Sequence, residues 1–164
     1  MRKATLNDLD NIMDIIKETV KDMNSSNNYQ WDDNYPNNNT FKNDINNNTL
    51  YIKEIGGNIA GFICVDYNET KEYDELDWSL NEKAAVIHRM AVNPKFRRRG
   101  IGTKLINFAK EIAVDKNINH IKTDTHSSND KMDNLFRKCG FNPVGKVQFE
   151  GKEDTFICYE NVLK

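Results

Sequence analysis

Residues 86–103 constrain this chain more than any other stretch. A β-type run ends at Asn93-Pro94, and Arg97-Arg98-Arg99-Gly100-Ile101-Gly102-Thr103 then leads into a helical pattern. A strand that feeds a basic, glycine-punctuated turn at a helix start makes an anion cradle. The first turn of a helix carries backbone N–H groups without intrahelical partners, and the aligned peptide dipoles leave partial positive charge there. Gly100 and Gly102 have no Cβ, so the backbone can approach a ligand closely and take turn dihedrals that other residues resist. The three arginines add permanent positive charge suited to a pyrophosphate. Spacing disfavours the two common nucleotide loops. Gly102 precedes Thr103 and then Lys104, which is not the Gly-Lys-Ser/Thr ending of a P-loop, and Leu105 stands where a dinucleotide fold would place its third glycine.

At 164 residues the chain is sized for one domain, residues 1–164, with a single core. A net charge of -2 from nearly balanced acids and bases argues against a broad nucleic-acid footprint, so the arginine triplet is a local feature. No apolar run approaches membrane-spanning length, and the first residues lack the apolar segment of a signal peptide. A soluble, cytoplasmic protein with neither a nucleic-acid nor a membrane partner is the expectation. Cys64, Cys139 and Cys158 are scattered without a C-x-x-C pair, and His88, His120 and His126 form no metal-ligand spacing. Buried reduced thiols and no metal are expected.

Residues 2–6 read as a short strand, after which Asn7 or Asp8 caps a helix carrying Leu9, Ile12, Met13, Ile15, Ile16 and Val20 at helical spacing. Residues 24–48 are crowded with asparagine, yet hold Trp31, Tyr35, Pro36, Phe41 and Ile45. Rings with polar tips suit the wall of a binding cleft, which makes Trp31 and Tyr35 candidate contacts for a bound molecule, or else anchors that dock the loop. Residues 50–55 and 59–67 flank Gly56-Gly57-Asn58 and predict an antiparallel hairpin. Residues 68–83 are polar and acidic and read as an excursion or lid carrying Trp78. A strand over 84–92, a helix over 100–115 and a strand over 118–125 imply parallel pairing through a right-handed crossover. Residues 131–139 predict a short helix closed by Gly140, and 144–149 and 155–162 a final strand pair. The sum is a mixed sheet with helices on both faces.

Met90-Ala91-Val92-Asn93-Pro94 followed by Arg97-x-x-Gly100-x-Gly102 closely resembles the acetyl-CoA-binding motif of the GNAT superfamily of N-acetyltransferases. Asn129, Leu135-Phe136, Lys138 and Cys139-Gly140-Phe141 resemble that family's second cofactor segment, an Asn leading into a helix that ends in Gly-Phe. The resemblance spans residues 86–141. It implies an α/β fold whose mixed, mostly antiparallel sheet is flanked by helices and whose central parallel strand pair splays to admit the pantetheine arm of acetyl-CoA. On that resemblance Met90, Ala91 and Val92 bond the pantetheine through their backbone, with the Met90 N–H near the thioester oxygen. Arg97, Arg98, Arg99, Gly100, Ile101, Gly102 and Thr103 then hold the phosphates, and Asn129, Phe136 and Lys138 complete the cofactor site.

His88 lies two residues before Met90, so strand periodicity puts both on one face and makes His88 the leading general base. A structural histidine beside the cofactor is its other reading. Tyr67, Glu69, Asp124 and His126 are alternative proton acceptors or substrate contacts, and Arg89 should face the other way. Phe136 departs from the family, which often has a tyrosine there to protonate the departing thiolate. Water then serves instead, or the thiolate leaves unprotonated. Met132 replaces a residue that is usually small. The implied activity is transfer of the acetyl group of acetyl-CoA to a primary amine, on a small molecule or peptide, by direct attack in a ternary complex. Cys139 has an ordinary packing role at a helix end. A non-catalytic acyl-CoA-binding or regulatory module is the alternative, and an ATP-binding protein using the same turn is a second. A homodimer is compatible with either.

Overall fold

Strand β4 (Ala84–Val92) lies at the middle of the sheet in the computed structural model, which describes Met1–Lys164. Around it the chain lays down β1 (Arg2–Lys3), α1 (Leu9–Asn24), α2 (Asn38–Asn46), β2 (Leu50–Ile55) and β3 (Asn58–Asp66) before it, and α3 (Ile101–Asp115), β5 (His120–His126), α4 (Asp130–Lys138), β6 (Asn142–Val147) and β7 (Phe156–Val162) after it. The strand order is β1-β2-β3-β4-β5-β7-β6, a mixed and mostly antiparallel sheet flanked by helices, with β4 and β5 parallel. The chain divides into two compact units, Met1–Val65 with Arg89–Ile106 and Asp66–His88 with Asn107–Lys164. No helix is long and apolar enough to cross a membrane.

In the first unit, the helical spacing of Leu9, Ile12, Ile15, Ile16 and Val20 gives α1 one apolar face. That face meets Phe41 and Ile45 of α2, Leu50 and Ile52 of β2, Phe62 of β3 and Ala91 of β4. Each such large side chain taken from water contributes about 1.5–3 kcal/mol. The hairpin expected at Gly56-Gly57 forms, with φ of 57° and 76° at the two glycines, as a two-residue primed turn requires. The strand expected over residues 2–6 is cut to Arg2–Lys3, because the Thr5 N–H bonds Asp8 Oδ2 at 2.7 Å and the chain turns into a 3-10 segment over Leu6–Asp8. The asparagine-rich stretch holds a helix, α2, whose N-cap Asn37 accepts from the Thr40 N–H at 3.1 Å. Asparagine is a poor helix former but a strong cap, so a composition count obscures such a helix.

In the second unit, Ala84–Ile87 pair in parallel with His120–Thr123, while β5 stays paired with β7 out to His126↔Phe156. The β4–β5 ladder therefore ends at Ile87, whose carbonyl accepts a hydrogen bond from Thr123 Oγ1 at 3.0 Å. Residues 68–83 are an excursion but not a lid. A short 3-10 turn over Lys71–Glu75 buries Tyr73 among Val86, Val147, Phe156 and Cys158. Trp78 Nε1 bonds the Tyr73 carbonyl at 2.7 Å, and the Ser79 N–H bonds Glu160 at 3.0 Å, which ties the segment down along its length.

Candidate functional site

The basic turn lies wholly in the first unit. Asn93 fixes its entry: its N–H donates to the Ala60 carbonyl at 3.0 Å, its Nδ2 to the Ile59 carbonyl at 2.8 Å, and its Oδ1 accepts from the Lys95 N–H at 3.1 Å. A 3-10 turn over Pro94–Phe96 follows. Arg98 and Gly100 then take positive φ, 61° and 71° respectively, with Arg99 between them, and α3 begins at Ile101. Two left-handed residues, with one that is not left-handed between them, turn N–H groups of the loop to one side and make an anion-binding concavity. The unbonded N–H groups of the first helical turn, at Ile101, Gly102 and Thr103, add to it. The arginines divide their work: Arg97 pairs with Asp22 of α1 at 3.1 Å, and Arg99 lies over the Phe96 ring at 5.4 Å. Gly61 of β3 is a positioning residue that sequence reasoning missed. A Cβ there would stand 2.8 Å from the Ala91 carbonyl oxygen and 3.2 Å from both Ile101 and Leu105, so only glycine lets α3 start this close to the sheet.

In the second unit His88 Nε2 lies 2.6 Å from Asp66 Oδ1. Asp66 also accepts from the Asn68 backbone N–H at 2.8 Å and from Asn68 Nδ2 at 3.1 Å. Burial works against its charge, but the bonds from His88 and Asn68 prevail and hold this carboxyl below the usual range. Asp124 accepts from the Tyr73 hydroxyl at 2.7 Å, and burial, outweighing that bond, raises its carboxyl above the usual range. Glu69 is occupied by Lys122 at 2.6 Å, and His126 Nδ1 by Ser128 at 2.8 Å, a loop-bracing arrangement. Tyr67 lies under Lys83, 4.7 Å from its ring.

Asn129, Phe136 and Lys138 also belong to the second unit. Asn129 caps α4, accepting from the Met132 N–H, and its Nδ2 donates to Thr125 Oγ1 at 3.1 Å. Phe136 is buried against Phe141 and Tyr159, with ring centroids 5.5 and 5.2 Å away. Lys138, in the last turn of α4, is exposed. All three cysteines are buried thiols, and burial pushes Cys158 up to about 12, which leaves it no thiolate at neutral pH.

Trp31 and Tyr35 part company. Trp31 is buried in the apolar core of the first unit, while Tyr35 keeps an exposed ring and accepts from Arg89 Nη1 at 3.0 Å. Arg89 thus turns to Asp44 and Tyr35, whereas His88 turns to Asp66.

Residues 13–141 match the sequence profile of the Acetyltransferase (GNAT) family. The chain belongs to that family. It is 34% identical over 89 residues to a streptothricin acetyltransferase of Escherichia coli, a match covering 54% of this chain and 51% of that protein. The chain thus spans about half the length, or less, of the curated relatives it matches. Among solved structures, a candidate acetyltransferase of Staphylococcus aureus Mu50 is 32% identical over 99% of this chain and 98% of its own, with a TM-score of 0.77. A GNAT family acetyltransferase of Streptococcus agalactiae 2603 superposes with a TM-score of 0.86 at 25% identity, over 99% and 94% of the two chains.

The GNAT turn of this chain fits a pyrophosphate. Its left-handed residues alternate beside a helix start, the space where a Gly100 Cβ would lie is open, and the side chains around it are cationic. No group of three or more His, Cys, Asp or Glu residues is placed to hold a metal ion.

Proposed function

We propose that this GNAT chain transfers the acetyl group of acetyl-CoA to a primary amine by direct attack. The observation that carries the reading is the turn at the start of α3, where alternating positive φ at Arg98 and Gly100 meets the free N–H groups of the first helical turn. Acetyl-CoA would bring the activated acyl group. The chain's own part is to hold its phosphates at residues 97–103, to bond its arm along the backbone of Met90, Ala91 and Val92, and to direct the Met90 N–H at the thioester oxygen as charge develops there. His88 accepts the proton that an ammonium must lose before its nitrogen can attack. Phe136 has no proton to give, so the thiolate departs unassisted by α4 or is met by water. The high pKa of Cys158 and the burial of all three thiols favour direct attack over an acetyl-cysteine.

A thiol-release assay across a panel of amines, with streptothricin included because one relative carries that name, tests the reading. Thiol release that depends on the amine, together with acetylated product, is expected. Thermal shifts should rise with CoA and acetyl-CoA and not with ATP. Gly102→Asp should weaken acetyl-CoA binding at least about tenfold with little change in unliganded Tm, since a carboxylate would stand where the phosphates bind. Binding of acetyl-CoA without transfer to any amine points to a non-catalytic module, and equal CoA affinity in wild type and variant removes the cradle.

A further inference from the structure

The pairing of His88 with Asp66 assigns the two ring nitrogens different tasks. Asp66 receives three hydrogen bonds, from His88 Nε2 at 2.6 Å, the Asn68 N–H at 2.8 Å and Asn68 Nδ2 at 3.1 Å, and its carboxyl is held in the ionised form. An ionised carboxylate only accepts. The hydrogen between Asp66 and His88 therefore belongs to Nε2, and in the neutral ring the lone pair belongs to Nδ1. The His88 side chain keeps about a fifth of its surface open, and Nδ1 has no hydrogen-bond partner within the protein.

We infer that Asp66 is the positioning residue of the proposed acetyl transfer: it fixes His88 as the Nε2–H tautomer, so that Nδ1 is the nitrogen that takes the proton from the acceptor amine. The inference rests on the reading of the chain as an acetyltransferase. The step balances simply. The ammonium N–H bond breaks, its electron pair stays on the amine nitrogen, and the proton forms a new bond to Nδ1; the imidazolium that results is stabilised by the Asp66 carboxylate at 2.6 Å. The amine nitrogen, now neutral, is free to attack.

Two carboxylates act on His88. Asp66 at the end of β3 bonds it, and Asp124 on β5, which accepts from the Tyr73 hydroxyl, interacts with it electrostatically, as Asp124 also does with Glu72 of the 3-10 turn. Arg89, its neighbour on β4, is turned to Asp44. Asp66 is the one in hydrogen-bond contact, so its removal should dominate. Conversion to asparagine puts an amide that can donate or accept against Nε2, and the tautomer is no longer dictated.

The test uses the full chain, with 15N-labelled imidazole spectra and pH–rate profiles on wild type, Asp66→Asn, Asp66→Glu and Asp124→Asn. Wild type should show the Nε2–H tautomer. Asp66→Asn should lose that single tautomer, lower kcat at least about tenfold, leave the KM for acetyl-CoA within about twofold, and move the acid limb of kcat/KM to lower pH. Asp66→Glu should recover part of kcat, and Asp124→Asn should move the acid limb less than Asp66→Asn does. An Nδ1–H tautomer in wild type overturns the assignment, as does an Asp66→Asn enzyme with the wild-type acid limb. A wild type that acetylates no amine defeats the acetyltransferase reading itself and with it the catalytic role of Asp66, while the imidazole spectra still decide which nitrogen Asp66 holds.

Discussion

Arg89 grips Asp44 with two nitrogens, Nε to Oδ2 at 2.8 Å and Nη2 to Oδ1 at 2.7 Å, and its third nitrogen reaches the Tyr35 hydroxyl at 3.0 Å. One strand residue thereby fastens helix α2 and the loop before it to β4. The guanidinium and the carboxylate keep 14% and 10% of their side-chain surface exposed, so loss of either partner strands a nearly buried charge.

Asp44→Ala should therefore destabilise the chain by about 3 kcal/mol, since breaking one side of a buried pair costs about 3–5 kcal/mol in comparable sites. For a chain of this length that is a fall in Tm of roughly 6–12 °C. A double variant, Asp44→Ala with Arg89→Met, should recover part of the loss because no charge is left behind. Differential scanning calorimetry on the three proteins measures this, and equal losses for single and double variants would falsify it.

Gly61→Ala tests the approach of α3 to the sheet. The added methyl meets the Ala91 carbonyl at 2.8 Å and two side chains at 3.2 Å, contacts too short to persist without backbone movement. Overpacking of this kind costs about 1–3 kcal/mol. Because the displaced elements are β4 and the start of α3, the KM for acetyl-CoA should rise several-fold alongside the fall in Tm. An unchanged KM would mean that the cradle is built independently of Gly61.

Much of this arrangement was legible in the sequence, and the side-chain pairings that were missed share one cause. The strand, turn and helix of residues 84–115 announce themselves by local pattern: β-type residues, Asn-Pro, glycines at fixed offsets, then helical spacing. The Gly56-Gly57 hairpin is equally local. Asp66 lies 22 residues from His88, and Asp44 lies 45 from Arg89, so their pairing depends on which strands and helices become neighbours. Periodicity reports which side of an element is buried and says nothing of the partner it meets. The docking of Tyr73 and Trp78 escaped for a related reason: their segment is acidic and polar, and only the hydrogen bonds to Asp124, to the Tyr73 carbonyl and from Ser79 to Glu160 show it to be part of the folded core.

Asp8 ties stability to acid pH. Its bonds to Arg2, at 2.9 and 2.8 Å, prevail over burial and, with the bonds from Thr5, lower its pKa from 3.8 to about 2. A carboxyl whose folded pKa lies below its unfolded value binds its proton more weakly in the native state. Its stabilisation is therefore present above about pH 4 and is lost as pH falls toward about 2. Asp8→Asn should lower the urea midpoint at pH 6, and the gap to wild type should narrow steadily as the pH is taken from 5 to about 3. A gap that is constant with pH would assign the effect to capping geometry rather than charge.

Phe136 is where chemistry and packing make separate demands. The ring is 2% exposed and held between Phe141 and Tyr159, so Phe136→Tyr adds a hydroxyl to a filled site and should lower Tm, by about 1–3 kcal/mol in stability if the oxygen finds no partner. Turnover depends on something else. A thiolate is stable enough to leave without an acid near neutral pH, so a new hydroxyl at position 136 should change kcat by less than about tenfold, under roughly 1.4 kcal/mol of barrier. The two effects are read independently, Tm by calorimetry and kcat by thiol release with the best amine of the panel. A drop in Tm with kcat nearly unchanged supports attack followed by unassisted departure of the thiolate. A wild type that is inactive beside an active Phe136→Tyr protein would mean that departure does wait for a proton, and that this chain binds acyl-CoA without using it.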